Sequence, residues 1–229
     1  MKLLSITLTL LTSIIMCSCN QVNTENTQAK KITYLALGDS YTIGEGVADS
    51  LRYPNQLKER LAQSGINIEN LKIIARTGWT TDELQAWIER DSITPPYNLV
   101  TLLIGVNNQY RGRDAENYRE EFKILLNKAI EFAGGKSKSV IVISIPDWGV
   151  TPFAKERDGK KIAAEIDKFN SINLEETQKS GAFYVNVTSI SRLATNEPNL
   201  LATDGLHPSG KMYKLWVNEI YPVANNILK

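Results

Sequence analysis

The feature that most constrains the fold is an alternation between short apolar runs and stretches of helical periodicity, repeated five times after Lys31. The runs are rich in Val, Ile and Leu and cover residues 32–37, 71–75, 99–104, 140–145 and 182–187. Continuous apolar runs are typical of parallel strands buried on both faces. The alternation therefore predicts an α/β fold in which helices wrap a five-stranded parallel sheet.

Helix signals lie between and after the runs. Leu57 and Leu61 share a helical face, Thr80 to Glu83 resembles a capping box, and Ser209 is placed to cap a last helix. Because no internal repeat or second linker interrupts the pattern, residues 31–229 are predicted to form one domain.

The first 18 residues differ from the rest, with Lys2 as their only charge and an apolar run over residues 3–16. A transmembrane helix needs about 20 apolar residues, so this pattern predicts an export signal instead. Cys19 lies where a lipoprotein signal places its acylated residue, and the polar residues 19–30 are predicted to be a flexible tether. We therefore expect an exported lipoprotein tethered to the membrane through Cys19, with a soluble periplasmic or secreted protein as the alternative.

Charge and residue usage exclude several classes of function. The formal net charge is +1, with basic and acidic residues interspersed, so nucleic acid is not an expected partner. Both cysteines precede residue 20, and His207 is the only histidine. Cysteine catalysis, cysteine-bound zinc and a histidine-rich metal site are thereby excluded, and we expect neither a metal nor a cofactor.

Residues suited to catalysis follow the predicted strands, at the edge where open α/β sheets bind ligands. In chain order they are Gly38-Asp39-Ser40, Gly78, Asn107-Asn108, Asp147-Trp148 and Asp204-Gly205-Leu206-His207.

Acyl transfer to a serine needs a base, a carboxylate that orients the base, and donors for the oxyanion. Asp204 is close enough in sequence to hold one nitrogen of His207, and the other nitrogen could face Ser40. The backbone N–H groups of Ser40 and Gly78 and the Asn107 amide could converge on an oxyanion.

Gly38-Asp39-Ser40, Gly78, Asn107 and Asp204-x-x-His207, in that order, resemble the four signature blocks of the SGNH, or GDSL-type, serine hydrolases. The resemblance implies a flavodoxin-like three-layer α/β/α sandwich. It assigns Ser40 as nucleophile, His207 as base and Asp204 as the orienting acid, with Ser40, Gly78 and Asn107 as the oxyanion hole. The third block usually ends Gly-x-Asn-Asp, whereas this chain has Asn108 in place of the Asp. Asp39, Asn108 and Trp148 are expected to flank the substrate.

The predicted function is a serine esterase of the carboxylesterase or lysophospholipase type, acting on small-molecule or lipid esters. The alternative enzyme is a carbohydrate O-acetyl esterase that acts on glycan esters. The non-enzymatic alternative is a tethered module that binds acyl groups or glycans. The chain lacks a Gly-x-Ser-x-Gly elbow, a phosphate loop and a dinucleotide fingerprint. Residues 146–159 and 188–203 are expected to wall an open site that suits short acyl chains.

Overall fold

The computed structural model describes residues 31–229, in which helices cover both faces of a single parallel sheet. The predicted export signal (1–18), the tether (19–30) and lipidation of Cys19 lie outside the described residues. None of the helices between residues 31 and 229 combines the length and apolar character needed to cross a membrane.

The five strands pair in the order β2-β1-β3-β4-β5, which is the flavodoxin-like order. They are β1 (Ile32–Gly38), β2 (Ile68–Ala75), β3 (Leu99–Leu103), β4 (Val140–Ile143) and β5 (Phe183–Val185). The predicted five-stranded parallel fold is confirmed. Every residue of β3 and β4 is buried, as the apolar runs predicted for strands covered on both faces.

The two edge strands differ most from the sequence-based prediction. Strand β2 begins at Ile68, three residues earlier than predicted, and its exposed Glu69 and Asn70 interrupt the apolar run. Strand β5 is shorter than predicted and only partly buried. An edge strand has one neighbour and exposes part of its surface, so a continuous apolar run marks it poorly.

Eight α-helices connect and follow the strands within the described residues. They are α1 (Ser40–Ile43), α2 (Tyr53–Ala62), α3 (Thr81–Ile88), α4 (Val106–Tyr110), α5 (Ala115–Phe132), α6 (Gly159–Ser180), α7 (Thr188–Ser191) and α8 (Gly210–Leu228). Helix α2 packs against α8, whereas α5 packs against α3 and α6. The caps predicted at Thr80 and Ser209 are both present at the starts of α3 and α8.

The strand order fixes where a ligand can bind. Strands β1 and β3 are neighbours in the sheet although β2 lies between them in sequence. In this fold a crevice opens at such a switch point, beyond the carboxyl ends of the strands. The segments that begin at Asp39 and Gly105 meet at this crevice.

Candidate active site

Ser40 lies where β1 ends and α1 begins. The Asp39 carboxylate accepts a hydrogen bond from the Tyr41 N–H (3.0 Å) and so caps the helix whose first residue is Ser40. A Cβ atom at Gly38 would overlap the Thr42 hydroxyl and the Leu103 carbonyl oxygen. Glycine is therefore required for β1 to lie this close to β3 immediately before the serine turn.

His207 and Asp204 form a hydrogen-bonded pair on one short turn. Asp204 Oδ2 lies 2.6 Å from His207 Nδ1, while Asp204 Oδ1 accepts the N–H groups of Leu206 (2.9 Å) and His207 (3.0 Å). Partial burial raises the pKa of Asp204, but these hydrogen bonds outweigh it and hold the pKa below its usual value. The carboxylate is thus kept ionised and fixes the His207 ring, leaving Nε2 free of this bond.

Neighbouring contacts place the His207 turn beside the serine turn. The Ala202 N–H donates to the His207 carbonyl (2.7 Å), and the His207 ring packs 5.6 Å from the Tyr41 ring. The Tyr213 hydroxyl in turn donates to the Tyr41 carbonyl (2.9 Å). Tyr41, the residue that follows Ser40, therefore contacts both the His207 ring and the Tyr213 hydroxyl.

Ser40 and His207 line the same cavity. Within residues 31–229, the hydrogen bond of the His207 ring goes to Asp204, and none joins it to the Ser40 hydroxyl. Free enzymes often show long catalytic hydrogen bonds that tighten only around the substrate. The positions of Ser40 and His207 around one cavity are therefore compatible with a hydrogen bond between them that forms when the substrate binds.

Gly78 and Asn107 line this cavity as well, and both are fixed by hydrogen bonds. Gly78 has a φ of 87°, a backbone conformation that favours glycine. Arg111 Nη2 donates to the Gly78 carbonyl (2.7 Å), and Asn107 Nδ2 donates one hydrogen to the Trp79 carbonyl (2.9 Å). The second hydrogen of that amide remains available. Arg111 was not predicted, because it lies 33 residues from Gly78 and carries no local motif.

The expectation that Asp39 and Asn108 flank the substrate is corrected by the structure: both are fully buried and neither lines the cavity. Asn108 Oδ1 accepts the Thr81 N–H (3.1 Å), and its Nδ2 donates to the Thr81 hydroxyl (2.6 Å). That hydroxyl donates onward to the Glu121 carboxylate. Glu121 thus lies at the end of this hydrogen-bond chain, and Asn108 joins α4 to α3.

The cavity has a volume of about 230 Å³ and a mostly apolar lining. Besides the residues above, it is lined by Tyr41, Thr77, Val106, Tyr110, Trp148, Phe153 and Leu206. Trp148 was predicted to lie here. Of the two predicted wall segments, 146–159 contributes Trp148 and Phe153, whereas 188–203 contributes no residue. Tyr110 and Leu206 were missed because aromatic and aliphatic side chains in a sequence usually indicate core.

The family model for GDSL-like lipase/acylhydrolase proteins matches residues 36–215, a range that contains every residue of this site. The chain belongs to this family. The resemblance seen in the sequence is therefore confirmed, and the GDSL-like chain is a hydrolase that acts on ester bonds. A comparison with curated protein sequences gives no match.

Several solved structures share the fold of this GDSL-like chain. A lipase/acylhydrolase from Enterococcus faecalis is 21% identical, with 86% of this chain and 97% of that chain covered and a TM-score of 0.67. An acetylxylan esterase from Geobacillus stearothermophilus is 16% identical, with 84% of this chain and 94% of that chain covered and a TM-score of 0.64. The psychrotrophic esterase EstA from Pseudoalteromonas sp. is 17% identical, with 85% of this chain and 97% of that chain covered and a TM-score of 0.61.

Proposed function

We propose that the protein is a serine esterase in which Ser40 is the nucleophile, His207 the general base and Asp204 the residue that orients the base. The observation that carries this proposal is the meeting of Ser40, Gly78, Asn107 and His207 around one cavity, with Asp204 bonded to His207 at 2.6 Å. These are the three functions that acyl transfer to serine requires, namely nucleophile, base and oxyanion donors.

In the first step Ser40 Oγ bonds to the acyl carbon while His207 Nε2 takes the hydroxyl proton. The bond to the alcohol oxygen then breaks, and His207 returns the proton to that oxygen. In the second step water attacks the acyl-enzyme with His207 again as base, which releases the acid and restores Ser40. In both steps Gly78 N–H, Ser40 N–H and Asn107 Nδ2 stabilise the oxyanion, and Asp204 stays ionised beside the imidazolium.

For the substrate, we propose carboxylic esters of small molecules or acyl lipids. The support is the mostly apolar lining of the cavity, which suits an aliphatic acyl group better than a polar one. A carbohydrate O-acetyl esterase is the second candidate. It is favoured by the half-exposed rings of Tyr110 and Phe153 at the cavity, since such rings can stack on the apolar face of a sugar.

The test is a set of p-nitrophenyl esters from acetate to palmitate, run beside acetylated xylan and lysophosphatidylcholine. We expect the wild-type protein to hydrolyse one or more of these esters, and we expect the rate to fall by at least about 10³-fold in Ser40→Ala. The rate should also fall strongly in Asp204→Asn, because the amide keeps the shape of the Asp204 side chain beside His207 but loses its charge. Hydrolysis that survives Ser40→Ala would refute the assignment. Tight binding of acylated ligands without turnover would instead indicate a binding module.

We further propose that the domain is exported and anchored to the membrane through an acylated Cys19. The support is the sequence alone: a basic start, a short apolar run that ends at Met16, and Cys17-Ser18-Cys19 immediately after it. In cells that express the full chain, labelled palmitate should be incorporated into the protein and lost in Cys19→Ala. Incorporation that persists in Cys19→Ala would refute anchoring at this residue.

A further inference from the structure

Three aromatic rings stand together in the cavity lining, and none of them takes part in the proposed chemistry. The centroids of the Tyr110, Trp148 and Phe153 rings lie 5.4 to 6.4 Å from one another. Trp148 is buried, whereas Tyr110 and Phe153 are 43% and 45% exposed. Large exposed rings that contact each other beside a reactive serine form an apolar surface for a ligand.

Two of the three rings, those of Trp148 and Tyr110, are held in place by contacts outside the cavity. The indole N–H of Trp148 donates to Gln109 Oε1 (2.7 Å), and Gln109 donates to Glu165 (2.7 Å). The Arg157 guanidinium lies over the Tyr110 ring (4.8 Å) and the Trp148 ring (5.4 Å), and it donates to the Tyr110 hydroxyl (3.1 Å). A surface fixed in this way is already formed before a ligand binds, so little ordering cost opposes binding.

The ring cluster is also tied to the turn that carries His207. The Phe153 N–H donates to the Gly205 carbonyl (3.2 Å), and Pro152 packs against Gly205. Tyr110 lies three residues beyond Asn107 on α4. The ring cluster is thus connected to the two segments that carry the proposed base and one of the proposed oxyanion donors.

We propose that Tyr110, Trp148 and Phe153 form the acyl-binding subsite of the esterase and select acyl chains of about four to seven carbons. This inference rests on the proposed reaction at Ser40. We assign the acyl group to this wall because it is bonded to Ser40 in the acyl-enzyme, whereas the alcohol leaves after the first step and its side then has to admit water.

The cavity volume gives the approximate length of chain that its walls can cover. An apolar cavity of about 150 Å³ holds benzene, so the 230 Å³ found here accommodates in proportion about nine non-hydrogen atoms. Three of these belong to the scissile ester group, which leaves about six carbons. The volume is also below the range of roughly 300 to 1,000 Å³ that larger ligands occupy.

The first experiment varies the acyl chain at constant alcohol, with p-nitrophenyl acetate, butyrate, hexanoate and laurate. A fully buried methylene contributes about 4-fold to kcat/KM, and the partly exposed rings reduce this gain. We expect hexanoate to exceed acetate by about 10-fold or more and laurate to show no further gain. Acetate as the best substrate, or a rise that continues to laurate, would overturn the proposal.

The second experiment measures the ratio of kcat/KM for hexanoate to that for acetate in Phe153→Ala and Tyr110→Ala. Each change removes one wall, and we expect the ratio to fall about 5-fold in each variant. Leu174→Ala is the matched control, because Leu174 is 37% exposed on α6 and does not line the cavity. An unchanged ratio in both ring variants would overturn the proposal, as would an equal fall of the ratio in Leu174→Ala.

Labelling by a fluorophosphonate separates failure of the subsite from failure of the proposed function. If Ser40 is labelled in the wild-type protein and in both ring variants but no chain-length preference is found, only the subsite is wrong. If Ser40 is not labelled in the folded wild-type protein, the proposed reaction itself is wrong.

Discussion

The buried carboxyl group of Asp39 predicts how the stability of the protein depends on pH. Its Oδ1 accepts the Tyr41 N–H, but its Oδ2 has no hydrogen-bond partner among residues 31–229, and the side chain is fully buried. Burial raises the pKa of Asp39 from 3.8 to about 7, although the backbone hydrogen bonds oppose the shift. The folded protein therefore holds a proton on Asp39 at pH values where the unfolded chain has released it.

The sign and size of the effect follow from linkage. Between pH 3.8 and about pH 7 the folded state binds more protons than the unfolded state, so the free energy of unfolding decreases as the pH rises. Each pH unit is equivalent to about 1.4 kcal/mol. The loss over the whole window is on the order of 4 kcal/mol and is complete once the pH exceeds the folded-state pKa.

Asp39→Asn tests this reasoning, because the amide keeps an oxygen acceptor for the Tyr41 N–H and does not titrate. Urea unfolding at pH 4, 6 and 8 gives the free energy of unfolding of both proteins. We expect the variant to gain stability relative to the wild-type protein by on the order of 4 kcal/mol between pH 4 and pH 8. A difference between the two proteins that is the same at every pH would refute a buried, protonated Asp39.

Substitutions at four further positions test the hydrogen bonds and charges around the site. Asn107→Ala should lower kcat by about 10² to 10³ by removing an oxyanion donor, and unchanged turnover would rule that role out. Arg111→Met should lower kcat more than it raises KM, because it removes the hydrogen bond that fixes the Gly78 carbonyl. Arg111→Lys should recover part of the lost kcat. A change in KM alone would mean that Arg111 only binds substrate. Asn108→Asp should lower the free energy of unfolding by about 1 to 3 kcal/mol, because it places a second carboxylate beside that of Glu121. Adding Glu121→Gln to this variant should restore most of the lost stability. Strictly additive losses in urea unfolding would contradict an interaction between residues 108 and 121.

Much of the site could be predicted from the sequence because its key residues follow apolar strands. Ser40, Gly78 and Asn107 each follow a run of Val, Ile and Leu, and parallel strands bring their carboxyl ends to one edge of the sheet. Asp204 and His207 are neighbours in sequence, so their pairing needs no long-range information.

The rest depended on how the segments pack. Asp39 and Asn108 are next in sequence to the proposed catalytic residues Ser40 and Asn107, yet both are buried, because adjacent residues of a turn or helix point in different directions. Leu206, which was not predicted, lines the cavity beside a loop-to-loop contact at Gly205 that no sequence pattern marks. Edge strand β2 was predicted short because its exposed residues are polar.

The central claim is that Ser40 is an activated nucleophile, and covalent labelling tests it most directly. The folded protein is treated with a fluorophosphonate probe, and the modified peptide is located by mass spectrometry. The account predicts one modification, on Ser40, that is lost in Ser40→Ala and greatly slowed in Asp204→Asn. An unlabelled wild-type protein, or labelling that persists in Ser40→Ala, would contradict it.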